Sequence, residues 1–442
     1  MNPKFACDNA TKATHPAGAP LYSDVSMRLF TQRDGAELEA ARDFHITRAD
    51  WSYIKDSAYI KQCKANGWTF QGTTNAVTTS PDHAMRNEDG SPVLDHFQRE
   101  GRYWSDCNNP AYRNWYVEQL VEWVELGADA IQRDEPTAQN HWDYEETSAY
   151  YEDVHGRLRA AVGRDVTFSC NLAWNEGRRF GGKGDRVTRH FDFGMSELGN
   201  NDVTPDFITS AARDTRRKGK FIAYTSFEAL DVPTYRRAIA GCYANGLLFI
   251  VPWDQFAGTS GQRVFSKPED MADLYGFVRA NAQYLDGYEA VSDEDVGIAT
   301  EKDVHAWLRA KPGDRQALLV LHLVDWGESG PTQVSLNPAQ LFGDDKLHVN
   351  LLVPTAYDAD SHRQAATDRV YEGLRSLSTL TIGQQGGRII VDVPALSPWG
   401  ILVIKPLDAA TPSLSSVDGP SPRPEEEKRG GGAASTLEEC DF

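Results

Sequence analysis

From about residue 40 to 285 the chain alternates short β-type runs with longer helical patterns, and no other feature limits its fold as much. Strand-like runs occupy 44–51, 69–77, 128–136, 166–174, 191–198, 221–227 and 247–253. Between them lie amphipathic stretches such as 110–126, where Tyr112, Trp115, Leu120 and Trp123 recur near helical spacing and Gly127 marks the stop. Strands separated by helices run parallel. Seven are countable, with 27–31 as a candidate eighth, and that number fits a closed (β/α)8 barrel. An open doubly wound sheet would carry a glycine-rich phosphate turn, and neither GxGxxG nor GxxxxGK[ST] occurs.

Past residue 287 the pattern becomes short strands between Gly, Pro, Asp and Ser turns, at 296–300, 317–324, 347–353, 370–371, 377–382, 388–393 and 400–404. With no long helix expected there, the reading is an α/β chain: a TIM barrel at 40–286 followed by a smaller all-β sandwich at 287–407. Residues 1–39 read as an N-terminal extension, and the Pro-, Ser- and Gly-rich 408–442 as a disordered tail.

Composition removes several function classes. Acids outnumber bases 64 to 45, a net charge of −19, which disfavours nucleic acid as a partner. No run approaches the ~20 apolar residues of a membrane helix. The six cysteines form no CxxC or Cys/His cluster, so neither a structural zinc nor any other cofactor is implied. Residues 1–20 lack the apolar core of a signal peptide. The chain is then extracellular or periplasmic if a signal has been removed, and cytoplasmic otherwise. Oligomeric state is open.

In such a barrel the chemistry sits at the C-terminal strand ends. Those ends offer Arg48, Asp50 and Trp51; Asn75; Arg133, Asp134 and Glu135; Asn171 and Trp174; Glu197; Glu228; and Trp253 with Asp254. Several carboxylates with indoles around one rim suit glycosidic-bond hydrolysis, where one acid protonates the leaving oxygen and a second carboxylate attacks or stabilises the oxocarbenium-like centre. The apolar Ala130-Ile131 runs straight into Arg133-Asp134-Glu135-Pro136, the strongest single signal. The bland alternative is a buried Arg133–Asp134 ion pair. Glu197 closes another apolar run, and a surface or capping glutamate is its alternative. The expected pair is Asp134 as nucleophile and Glu197 as general acid/base. Glu135 rivals the first; Glu228 and Asp254 rival the second. Arg48, Asp50, Trp51, Asn75, Arg133, Asn171, Trp174 and Trp253 are expected to contact substrate.

One loop, 175–190, carries Arg178, Arg179, Lys183, Arg186 and Arg189 against Glu176 and Asp185. Placed on the rim, Arg178 and Arg179 would hold sulfate or carboxylate groups of an anionic glycan; the alternative is a solvated loop paired with nearby acids. His45, between apolar neighbours, reads as a satisfied core histidine.

The segments GADAIQRDEP and FGMSELGN, with the closing PWGILVIKP, resemble (β/α)8 glycoside hydrolases that carry a C-terminal β domain. Within that group the retaining marine endo-1,3-fucanases are similar in pattern. This resemblance implies an aspartate nucleophile and a glutamate acid/base, roles that Asp134 and Glu197 would fill, with a polysaccharide or oligosaccharide, including a sulfated fucan, as substrate. Two other readings stand beside it. One is a metal-dependent lyase or isomerase holding magnesium through Asp106, Asp134 and Glu135. The other is a noncatalytic carbohydrate-binding barrel.

Overall fold

The computed structural model describes residues 19–29, 35–96, 98–138, 141–172, 179–180, 182–257, 262–291, 297–312, 318–337 and 347–406. The expected tail at 408–442 lies outside them, as do Trp174 and Arg178.

Eight parallel strands pair in chain order: β1 (Ser26–Arg28), β2 (Arg48–Ser52), β3 (Thr69–Asn75), β4 (Ala130–Asp134), β5 (Thr167–Asn171), β6 (Phe193–Leu198), β7 (Ile222–Ser226) and β8 (Leu248–Phe249). A parallel bridge from Met27 to Val251 joins the last strand to the first, which closes the ring. Each strand feeds a helix: α1 (Ala36–Asp43), α2 (Ser57–Ala65), α3 (Pro110–Glu125), α4 (Tyr144–Val162), the one-turn α5 (Asp185–Thr188), α6 (Pro205–Arg217), α7 (Val232–Ala244) and α8 (Pro268–Ala280). β1 and α1 begin inside the stretch read from sequence as an extension. Strands this short give little periodicity to read, because three residues are less than two side-chain repeats.

Local chemistry sets the starts of the helices. Asp56, Asn109, Asp143, Thr204 and Asp231 each accept a hydrogen bond from a first-turn N–H. Close packing sets where α3 lies. A Cβ on Gly72 of β3 would sit 2.4 Å from the Trp123 ring, so only glycine lets that indole lie on the strand.

The barrel interior is polar. Arg48 and Asp50, at 0% and 1% exposure, form an ion pair (Nε–Oδ2 2.9 Å), and the guanidinium lies over the Phe193 ring across the barrel. Asp50 also accepts from Ser26 Oγ at 2.7 Å, and Gln71 Nε2 donates to Ser169 Oγ at 3.0 Å.

The C-terminal region contains β9 (Val304–Ala310), β10 (Leu319–Asp325), β11 (Thr332–Leu336), β12 (Leu347–Pro354), α9 (Ala359–Asp368), β13 (Arg375–Leu380), β14 (Ile382–Gln385), β15 (Arg388–Val393) and β16 (Trp399–Pro406). Two antiparallel sheets, one containing β9-β10-β16-β12-β13 and the other β11-β15-β14, enclose an apolar core that includes Leu321, Leu402, Val334 and Val391. Two sequence expectations fail here. A ten-residue helix, α9, does intervene, capped by Asp358 on Ser361 N–H. Residues 370–371 form no strand; the chain turns there into the short 3-10 helix Glu372–Leu374. Two tryptophans of this region pack inward. Trp399 is buried against Tyr243 and Phe277, and Trp326 lies against Gly241 of α7. Both join this region to the barrel.

Candidate active site

Asp134 ends β4, and its neighbours on the adjoining strands also end at the rim. Asn75 is its register partner on β3. Its carboxylate is an acceptor on both oxygens. Oδ2 receives Tyr53 Oη at 2.8 Å and Asn75 Nδ2 at 3.4 Å; Oδ1 receives Asn171 Nδ2 at 3.0 Å and the Glu135 N–H at 3.0 Å. Four donors converging on one strand-end carboxylate fix its position and orientation. Tyr53 is 40% exposed as a residue, yet desolvation of its phenol oxygen, reinforced by the Asp134 charge, holds it well above its ordinary range, so it stays a donor. The alternative reading, a buried Arg133–Asp134 ion pair, is not what forms: Arg133 binds Tyr112, Tyr151 and the Asn75 carbonyl instead.

Glu197 lies on β6, two strands from Asp134. Its carboxylate is 3.7 Å from Arg28 Nη1 and 23% of its side chain is exposed, so it faces the open rim while touching a buried cation. Arg28 ends β1, is 2% exposed, stacks over Trp51 (4.2 Å) and donates to Thr225 Oγ1 at 3.3 Å. Burial lowers its hold on a proton. Glu197 first, then Asp134, counters this through its charge. One guanidinium therefore feels the charge of both acids.

The remaining expected site residues separate into two groups. Asn75 and Asn171 hold Asp134, and Trp51 supports Arg28 rather than offering a free face. Trp253 is half-buried edge-on to Phe265, which is 41% exposed. The others turn away. Arg48, placed on the rim by sequence, begins β2 instead of ending it, and with Asp50 fills the barrel interior. Arg133 points outward among the helices, donating to Tyr112 Oη (2.8 Å), Tyr151 Oη (3.2 Å) and the Asn75 carbonyl (2.5 Å) and lying over Tyr116. Alternation along β4 explains this: Asp134 and Arg133 cannot face the same way.

The rival acids have structural partners. Glu135 is 5% exposed, has a positive φ of 51° and meets His96 Nδ1 at 3.3 Å. Asp254 is 2% exposed and paired to Arg263 (Nη2–Oδ1 2.5 Å). Glu228 accepts the Asn200 N–H. Asp106, the third acid of the magnesium alternative, accepts from Asn108 N–H at 2.9 Å, and no three His, Cys, Asp or Glu side chains cluster as a metal site among the described residues. In the basic loop, Arg179 donates to Ser210 Oγ on α6 (2.6 Å) and faces Asp214 (3.6 Å). Arg186 pairs with Glu145, and Arg189 donates to Ser148 Oγ at 2.9 Å. These cations dock helices against one another.

Arg28, Tyr53 and His96 were not singled out by the sequence reading. Arg28 has a signal in hindsight, as the one charge within the Val25–Leu29 stretch, which is 0–2% exposed throughout. Tyr53 and His96 lie on loops that no periodicity marks.

A closed parallel barrel with carboxylates at the C-terminal ends of two strands is a frame that glycosidic-bond hydrolysis can use. The chain belongs to glycosyl hydrolases family 31: residues 31–307 match that family's TIM-barrel domain. Among proteins of curated function no relative matches by sequence. Solved structures share the fold at low identity. An alpha-amylase from H. orenii is 13% identical with a TM-score of 0.52, over 86% of this chain and 99% of that one. A gamma-CGTase from an alkalophilic Bacillus clarkii is 11% identical with a TM-score of 0.56, over 88% and 71%. A debranching enzyme from Nostoc punctiforme is 10% identical with a TM-score of 0.55, over 89% and 100%. The family match bears out the glycoside hydrolase barrel and does not reach the narrower likeness to endo-1,3-fucanases. The partner is accordingly a carbohydrate, and no described helix is long and apolar enough to cross a membrane.

Proposed function

We propose that the chain hydrolyses O-glycosidic bonds of a neutral polysaccharide or oligosaccharide with retention of configuration, with Asp134 as nucleophile and Glu197 as general acid/base. The observation that carries this reading is the immobilised Asp134 carboxylate, held by Tyr53, Asn75 and Asn171. A nucleophile must meet the anomeric carbon along one line, and fixed donors supply that orientation before substrate arrives. Asp134 attacks, the C–O bond to the leaving group breaks, and Glu197 gives that oxygen its proton. Glu197 then takes a proton from water as the water displaces Asp134. Arg28 keeps Glu197 in place and balances the charge of two acids at one rim.

A neutral ring is favoured over a sulfated one on electrostatic grounds. The rim carboxylates repel anions, and the loop cations Arg179, Arg186 and Arg189 already have partners. The test is turnover on starch, dextran and laminarin beside fucoidan and carrageenan, with proton NMR of the first-formed anomer. Hydrolysis of a neutral glycan with retention is expected. Turnover confined to the sulfated glycans would restore the fucan reading, and an inverted product would remove Asp134 as nucleophile.

A further inference from the structure

The turn that follows β4 is strained. Glu135 has φ 51° and Ala138 has φ 44°, so two non-glycine residues in four hold a left-handed conformation. Glu135 also precedes Pro136, whose ring favours an extended residue before it. Strain of this kind persists only where surrounding contacts over-determine the backbone. From Pro136 onward those contacts are hydrogen bonds. Ala138 N–H donates to the Glu135 carbonyl at 3.0 Å, Trp142 N–H to the Thr137 carbonyl at 3.2 Å, and Tyr151 Oη to the Pro136 carbonyl at 2.7 Å.

The Glu135 side chain is met by a different part of the chain, the long excursion 76–109 between β3 and α3. That excursion folds back on itself, with Val77–Thr78 antiparallel to Tyr103–Trp104. Trp142 Nε1 donates to the Ser105 carbonyl at 2.7 Å, which ties the excursion to the segment after β4. His96 then places its Nδ1 3.3 Å from Glu135 Oε1. The imidazole is set in turn by Trp104, a buried indole that packs on the His96 and His141 rings at centroid distances of 5.6 and 5.7 Å.

The consequence falls on the reacting carboxylate. The Glu135 N–H donates to Asp134 Oδ1 at 3.0 Å. Because the chain beyond Pro136 is tied down, any change of φ at Glu135 rotates the peptide that carries this N–H. Holding Glu135 left-handed therefore holds the donor on Asp134.

We infer that His96 and Glu135 are positioning residues: their contact clasps the strained turn, so that the Glu135 N–H stays on Asp134 and orients it for attack. The effect on rate rests on the hydrolase reading above; the geometry of the clasp does not.

The test uses the glycosyl fluoride of the sugar that the substrate panel selects, with thermal melting to show that each variant is folded. His96→Ala should lower kcat about tenfold, as for one lost hydrogen bond to a charged group, with KM within about twofold. His96→Asn, whose side-chain amide can donate from near the place of Nδ1, should stay within about threefold of wild type. The decisive variant joins His96→Ala to Glu135→Gly. Glycine takes positive φ without strain, so the double variant should recover at least roughly threefold over His96→Ala although it removes one more side chain. A role in loop packing alone predicts a further loss instead. His96→Ala within about twofold of wild type, a loss confined to KM, or a double variant no better than His96→Ala would each overturn the clasp. A crystal structure of the His96→Ala chain reads it without turnover: the Glu135 N–H should have moved out of hydrogen-bond distance of Asp134 Oδ1. An unmoved N–H sinks the clasp, whereas a moved N–H in a protein whose wild type cleaves no glycan supports the clasp and sinks the hydrolase reading alone.

Discussion

Replacing Asn171 with alanine removes the 3.0 Å amide donor from Asp134 Oδ1 and leaves Tyr53 and the Glu135 N–H in place. Hydrogen bonds to a charged group contribute about 1.5–3 kcal/mol. If that interaction is needed to hold the nucleophile on its attack line, kcat/KM should fall about 10- to 100-fold, at roughly 1.4 kcal/mol per factor of ten. Geometry grades the series. Tyr53→Phe, which loses a 2.8 Å bond, should match Asn171→Ala, whereas Asn75→Ala loses a 3.4 Å contact and should cost about fivefold or less. The assay is fluoride release from a glycosyl fluoride, with thermal melting to show that each variant is folded. Because Asn171 ends β5 and its amide points to the rim, melting should change by only a few degrees. A folded Asn171→Ala enzyme within threefold of wild type would refute the argument that these donors prepare Asp134 for attack.

Three further outcomes follow from the geometry. Glu197→Gln should lower kcat/KM on an oligosaccharide by about 10²–10⁴ and spare glycosyl fluoride in comparison, since fluoride leaves without protonation; equal losses on both would argue against an acid role. Arg48→Met should leave Asp50 uncompensated inside the barrel and cost about 3–5 kcal/mol in chemical denaturation, with KM of the folded enzyme unchanged; a raised KM with normal stability would return Arg48 to the substrate site. The third concerns His45, whose Nε2 is 2.7 Å from His362 Nδ1. Desolvation, then the His362 and Arg279 charges, push the His45 pKa down to about 3, below its ordinary 6.5. The unfolded chain binds that proton near pH 6.5 and the folded chain does not. This contribution to stability is therefore full above pH 6.5 and is lost as pH falls toward 3. By pH 5 about 2 kcal/mol of it should be lost, and His45→Leu should flatten the stability profile between pH 6.5 and 4.5; an unchanged slope would contradict it.

The parts of this molecule that sequence reveals are those whose signal is local. The strand-then-acid run at 130–135 and the polar ends at Asn75 and Asn171 are legible because a buried strand must be apolar until it reaches solvent, so a polar end marks the rim. Direction is harder. Arg48 and Arg133 stand beside true rim residues, and only the register of β2 and the alternation along β4 show that one lies at the barrel base and the other between helices. The basic loop is ambiguous in sequence for a related reason: its cations read the same whether they face substrate or neighbouring helices, and Arg179, Arg186 and Arg189 find partners on α4 and α6. Arg28 was missed because β1 has three residues. The contact between His96 and Glu135 has no sequence signature, since it joins the 76–109 excursion to the turn after β4.

A covalent glycosyl-enzyme would test the central claim most directly. A 2-deoxy-2-fluoro or 5-fluoro glycosyl fluoride of the preferred sugar should inactivate the enzyme as Asp134 displaces fluoride and the slowed second step traps the ester. Peptide mass spectrometry should then find one sugar on Asp134. A label on Glu135 or Glu197, or turnover with no ester at any carboxylate, would contradict the account.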